Sequence, residues 1–276
     1  MNQLTPNIPF ADYLKLPGLS ASSLKKLARS PLAYKWALDH PDTAPSASMI
    51  LGSAVHTAIL EPERMNTDYV LWDGGTRRGK AWDAFEAENE TKTILTATEF
   101  DTVKAMRRSV LTYEPAARYL EAGTAEVSMQ WEMAGRQFKG RIDWLTTIDG
   151  TPVIVDLKTT RDARPYKFGA DAFNLGYHIQ FALYCDGFAA LHGGQVPRFV
   201  VIAVENGAPF EPAVFDIPED VIEHGREEYM RLVALLDECE ASNTWPPACE
   251  TEQALALPSW AYTKTDDDVT GLGLIA

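Results

Sequence analysis

Cysteine is scarce in this chain of 276 residues: Cys185, Cys239 and Cys249 are the full set, and no two are spaced as C-x-x-C. That argues against a disulfide framework and against the usual thiolate metal knuckles. Long apolar runs are missing as well; none approaches the ~20 residues that a membrane-spanning helix requires. The opening stretch MNQLTPNIPF has neither a basic start nor an apolar segment, so no secretory leader is expected. G-x-S-x-G, a complete P-loop and H-E-x-x-H are all absent, which leaves serine hydrolases, P-loop enzymes and zincins without support. The expectation is a protein of the reducing cytoplasm with no membrane attachment.

Positive charge is also in short supply. The formal net charge is −14, which disfavours broad, sequence-independent coating of a duplex. The deficit is local, however. Residues 205–276 hold 16 acids against Arg226, Arg231 and Lys264, whereas residues 1–204 hold 22 bases and 23 acids. Small basic clusters lie in that near-neutral part, among them Arg77, Arg78 and Lys80, and Lys139 with Arg141. Each fits either a solvated face or a phosphate contact.

What is present is clear periodicity. LSASSLKKLARSPLAYKW reads as a helix opened by Ser20 or Ser22, with Pro31 breaking or restarting it. A second helix spans about Ser46 to Leu60 and ends at Glu61-Pro62, and further helical patterns cover about Lys80–Glu88 and Thr98–Tyr113. Between them, DGGTRRGKAW reads as a mobile, glycine-rich loop. From Ala125 the period changes to two: Val127, Met129, Trp131 and Met133 alternate with polar residues. Tight turns at Ala134-Gly135 and Asp149-Gly150 then make a three-stranded antiparallel meander. A helix at about 174–191 crosses to PRFVVIAVE, followed by a short strand at 213–217 and an acidic helix at 218–241. The fold class is therefore α/β (α+β), with a mixed central sheet flanked by helices. The domain expectation is one unit over residues 1–245, helical to about 122 and sheet-based from about 123, with an irregular tail at 246–276.

The chemistry centres on the meander. Asp143 and Asp156 are equidistant from the Asp149-Gly150 turn, so they face each other across the hairpin. Facing carboxylates repel, and a cation between them resolves the conflict; Mg²⁺ is commonly held by one or two carboxylates and retained waters. Lys158 shares a strand face with Asp156. Asp156 and Lys158 also fit an exposed ion pair, worth ~0–1 kcal/mol. The apolar flanks Ile142, Trp144 and Val153 to Val155 favour a buried, functional setting.

Asp143 followed by Asp156-Leu157-Lys158 resembles the bipartite motif of the PD-(D/E)xK nuclease superfamily. Further stretches resemble its RecB-like members: the first-helix segment above; GSAVHTAIL, with His56 in a G-x-x-x-H pattern; GRIDW, around the first acid; and QFALY, with Gln180 and Tyr184 one turn apart. RRGKAW and the late LPSWA are similar to the RecE-type branch. The resemblance implies a restriction-endonuclease-like core and a metal-dependent 5′-to-3′ exonuclease on duplex DNA that prepares single strands for recombination. It implies Mg²⁺, or Mn²⁺, held by His56, Glu126, Asp143, Asp156 and the Leu157 carbonyl. Asp143, Asp156, Lys158, Gln180 and Tyr184 become the catalytic set, and Ser22, Ser23, Arg29, Arg77, Arg78, Lys80, Lys139 and Arg141 the DNA contacts. A ring-like homo-oligomer acting on linear duplex ends, with a single-strand annealing or recombinase partner, is implied too. Some RecB-like relatives ligate an iron–sulfur cluster through a cysteine before the proline of the first-helix signature. Ser30 stands there in this chain, so no cluster is expected.

Overall fold

The structure, a computed structural model, describes residues 3–6, 8–40 and 45–256. The chain order is β1 (Gln3–Thr5), α1 (Phe10–Lys15), α2 (Ala21–Arg29), α3 (Pro31–Asp39), α4 (Ala47–Leu60), α5 (Met65–Asp68), β2 (Tyr69–Trp72), α6 (Lys80–Glu88) and β3 (Thr93–Thr96). Next come α7 (Ala97–Thr112), α8 (Glu114–Leu120), β4 (Thr124–Met133), β5 (Arg136–Ile148), β6 (Thr151–Thr160), α9 (Pro165–Asn174), α10 (Tyr177–Leu191), β7 (Arg198–Glu205), β8 (Pro212–Asp216) and α11 (Glu219–Ser242). The expected α/β class is the one found. Serine caps place the early helices: the hydroxyls of Ser20, Ser30 and Ser46 accept from the backbone N–H three residues on. Pro31 restarts the chain as a new helix, since a proline at the first helical position loses no bond.

The main sheet has the order β1-β4-β5-β6-β7-β8, antiparallel throughout except for the β6–β7 pair. Both meander turns have positive φ at their two central residues, 52° and 72° at Ala134-Gly135 and 50° and 79° at Asp149-Gly150. That is the backbone of tight hairpins, which matches the twist of the flanking strands. β7 is buried on both faces. Phe199, Val201 and Ala203 join one core while Val200, Ile202 and Val204 join the other.

The sheet thus divides two cores. One gathers α2, α10 and α11 around Trp131, Phe138 and Phe181; the other gathers α4, α7 and α8 around Leu95, Met106 and Tyr119. Gly187 lets α10 lie on Trp131, because a Cβ there would sit 2.9 Å from three indole carbons. The irregular start expected from the sequence instead carries β1 and α1, and β2 pairs with β3 as a small parallel sheet. These elements are three to six residues long, too short to show a period. DGGTRRGKAW is tied down at Arg77, which donates to the Ile94 carbonyl (2.9 Å) and to Glu99 (2.6 Å). LPSWA lies outside the described residues.

Candidate active site

β5 and β6 pair only as far as Trp144 opposite Val155. One step further, at Asp143 and Asp156, the two strands part, and the site occupies the opening. The register centred on Asp149-Gly150 is the expected one. The two acids do not form a paired rung, however: the Asp143 carboxylate turns into the gap and accepts the Leu157 N–H at 2.9 Å. Leu157 thus enters the site through its amide.

Glu126 lies at the same level on β4, between the rungs Ala125–Trp144 and Val127–Ile142. Its φ is +53°, unusual for a residue with a side chain. The twist changes which face the strand presents: Val127 packs in the core under α10, whereas Ala125 packs in the core under α4. Regular alternation would have put both on one face. Local strain of this kind concentrates where a side chain has to be aimed. Glu126, Asp143 and His56 of α4 each bring one donor atom into a set no wider than 4.8 Å. His56 Nδ1 is 3.6 Å from Asp143 Oδ2. Burial and the charge of Asp143 push the Glu126 carboxyl above its ordinary range, against Arg141 and His56, which pull it down. One imidazole and two carboxylates, half-buried and crowded, are a donor set that fits a hard divalent cation.

Asp156 stands beside this set and outside it. It is 1% exposed; Gln180 Nε2 donates to its Oδ1 at 2.7 Å, and Lys158 Nζ is 2.5 Å from its Oδ2. Burial raises the Asp156 pKa, with Lys158 opposing and Asp143 adding to the rise. Burial works against the Lys158 charge, but Asp156 and Asp143 outweigh it and hold the ammonium protonated. A buried pair of this kind is not the exposed pair that the tripeptide alone allowed. Lys25, from α2, donates to Gln180 Oε1 at 3.3 Å, and Lys25 and Lys158 lie 4.9 and 5.0 Å from the centre of the Tyr177 ring. Lys25 and Tyr177 were not among the expected catalytic residues.

Several expected contacts sit elsewhere. Tyr184 is buried, and its hydroxyl accepts the Arg141 backbone N–H at 3.3 Å, so it braces β5 instead of opening to a substrate. Lys139 is turned inward: its ammonium donates to the carbonyls of Leu14 (2.9 Å) and Leu16 (2.6 Å) at the end of α1. Arg141 is 8% exposed and donates to Glu126, with Phe10 and Tyr13 over its guanidinium. Neither projects outward from the strand, because α1, unseen in the sequence, covers that end of β5. Ser23 belongs to the α2 cap with Ser20, while Ser22, Arg29, Arg78 and Lys80 are exposed. Thr160 makes a turn with Asp162, its hydroxyl accepting the Asp162 N–H at 3.3 Å.

Residues 20–258 match the family described as a PDDEXK-like domain of unknown function (DUF3799). The chain belongs to that family. Among solved structures, a candidate exonuclease from Eubacterium rectale resembles this PDDEXK-like chain with a TM-score of 0.61 and 15% identity, over 96% of this chain and 99% of the other. A phage-related exonuclease from Haemophilus somnus 129PT aligns with a TM-score of 0.36 and 13% identity, over 85% of this chain and 100% of that one. No curated protein matches. The first likeness shows the fold, and the family membership supports a nuclease. No helix among the described residues is long and apolar enough to cross a membrane.

Proposed function

We propose that this PDDEXK-like protein is a Mg²⁺-dependent deoxyribonuclease, acting 5′ to 3′ from the ends of linear duplex DNA to leave single strands for recombination. The observation that carries the nuclease part is the convergence of His56, Glu126 and Asp143 beside a buried Asp156–Lys158 pair at the parting of β5 and β6. Duplex ends, direction and recombination rest on the resemblance of its motifs to RecE-type exonucleases. A ring-like homo-oligomer, a single-strand annealing or recombinase partner and a cytoplasmic setting belong to the same proposal.

His56, Glu126 and Asp143 would hold the cation. When bound, a divalent ion makes water a stronger nucleophile near neutral pH and offsets charge developing on the phosphate. The chain's own groups do the rest. Lys158 carries a fixed positive charge at the site, suited to a phosphoryl group that gains negative charge. Asp156 keeps that ammonium in place, and Gln180 keeps Asp156 in place through its amide. Ser22, Arg29, Arg78 and Lys80 remain available for the DNA backbone, with Arg77 able to exchange Glu99 for a phosphate.

The test is nucleotide release from linear duplexes labelled at either end, with Mg²⁺ and with chelator, for the parent and for Asp156→Ala and Lys158→Ala. Metal-dependent release from 5′ ends, lost in both variants, is the expected result. Variants as active as the parent would overturn the site assignment, and release from single strands alone would replace the duplex reading with a RecB-like one.

A further inference from the structure

Arg141 is buried in a way that stability alone does not explain. Its Nε donates to Glu126, yet its Nη1 is buried with no hydrogen-bond partner among the described residues. An unmet buried donor is costly, and an apolar side chain of similar volume in place of a buried charge is often neutral or stabilising. What the arginine does hold is Glu126, one of the three donors of the metal set.

Glu126 needs holding. It sits at φ +53° in a strand, crowded against the like charge of Asp143. Carboxylates that ligate a metal are usually fixed by a hydrogen bond from outside the coordination sphere. A carboxylate has two oxygens and several lone pairs, so it can accept from Arg141 and still offer an atom to a cation.

Arg141 is fixed in turn. Its backbone N–H donates to the Tyr184 hydroxyl at 3.3 Å. The rings of Phe10 and Tyr13, both on α1, lie 5.4 and 5.8 Å from the guanidinium carbon. Lys139, two residues earlier on β5, fastens the other end of α1 by donating to the carbonyls of Tyr13 (3.4 Å), Leu14 (2.9 Å) and Leu16 (2.6 Å). An ammonium at that place also meets the negative end of the helix.

We propose that Arg141 is a positioning residue for the metal set and that α1 is the clamp that sets it. Phe10 and Tyr13 hold the guanidinium, the guanidinium aims Glu126, and the site is fully formed only while α1 is docked. A six-residue helix that supplies no donor atom thereby controls cation loading. The inference rests on the metal site of the nuclease reading and adds to it the residues that aim one donor.

The test reads Mn²⁺ binding to the full chain from the electron paramagnetic resonance signal of the free ion, with no DNA present. Arg141→Lys keeps the charge but loses the planar fork and its stacking surface. Its Mn²⁺ affinity should fall about tenfold or more. Phe10→Ala removes a ring that is 57% exposed, so the fold is not at risk. That variant should bind Mn²⁺ about threefold more weakly. The threefold effect should vanish when Phe10→Ala is made in a Glu126→Gln background, because the clamp then has no ligand to aim. An effect that persists undiminished there means that α1 acts through general packing, and the proposal falls. Unchanged affinity in Arg141→Lys or in Phe10→Ala also overturns it, as does a parent that binds no Mn²⁺. The nuclease reading fails separately: a parent that binds Mn²⁺ with these dependences yet releases no nucleotide from DNA sinks that reading and leaves the clamp standing.

Discussion

The two faces of the central sheet contribute to the site in different currencies. From the α4 side come donor atoms: His56, with Glu126 and Asp143 aimed towards it, half-buried and crowded within 4.8 Å. From the α10 side come charges already neutralised: Asp156 with Lys158, tied through Gln180 to Lys25. The first cluster is short of positive charge and suits a cation; the second is balanced and needs none. The sheet brings them within electrostatic reach because β5 and β6 stop pairing between them. One face therefore offers a donor set that fits an ion, and the other a fixed, protonated lysine.

That contrast can be broken at either face. Asp143→Ala removes the acid that, alone among the described residues, touches both His56 and the β6 backbone. Nucleotide release should fall about a thousandfold or more, with Mg²⁺ affinity, read by calorimetry, reduced as well. Lys158→Met acts on the other face. It strands a buried carboxylate, and urea unfolding should show a loss of about 3 kcal/mol. The double variant Asp156→Asn, Lys158→Met should regain most of that stability without regaining activity. If Lys158→Met were instead as stable as the parent, the pair would have to be solvated and the contrast between the faces would fail.

A smaller effect isolates the α10 face by packing alone. In Gly140→Ala the new Cβ would meet Tyr184 Cε1 at 2.8 Å. The ring must yield, at about 1–3 kcal/mol, and Mg²⁺ affinity should stay unchanged because the donors lie on the other face. The smallest effect is a titration. Burial, then Lys158, lower the Lys25 pKa to about 8, against 10.5 when unperturbed, and Asp156 only partly offsets them. Between those values the unfolded chain binds more protons than the folded one, so Lys25 makes stability rise with pH. Parent and Lys25→Met, compared by urea midpoint from about pH 9.5 to pH 10.5, should diverge by about 1 kcal/mol in the parent's favour as pH rises. A constant difference would mean that Lys25 is not desolvated.

Much of this was legible in the sequence where a local rule acts alone. Turn chemistry at Asp149-Gly150 set the hairpin register, and with it the level of Asp143 and Asp156. Ser20, one of the two caps read for the first helix, opens α2, and the span read from about Ser46 to Leu60 is α4 with its cap. Where a rule meets a tertiary contact, the sequence misled. Alternation along β4 was sound from Val127 to Trp131 but not at Glu126, whose positive φ depends on packing that no local pattern reveals. Lys139 and Arg141 read as outward cations because α1, six residues long, shows no period and covers them. The Asp156–Lys158 pair was legible on its own strand, but its burial and the contact with Gln180 are visible only when α10 is laid on the sheet.

The Leu157 amide has a consequence of its own. Most amides of β6 are committed to backbone carbonyls, but this one is donated to the Asp143 side chain. Its proton chemical shift and its exchange with solvent therefore depend on what that carboxylate is doing. In a ¹⁵N-labelled sample, a single cross-peak at the centre of the sheet would follow protonation, cation capture and release at Asp143, without a probe being attached. The strand that carries Asp156 and Lys158 doubles as its own spectroscopic indicator.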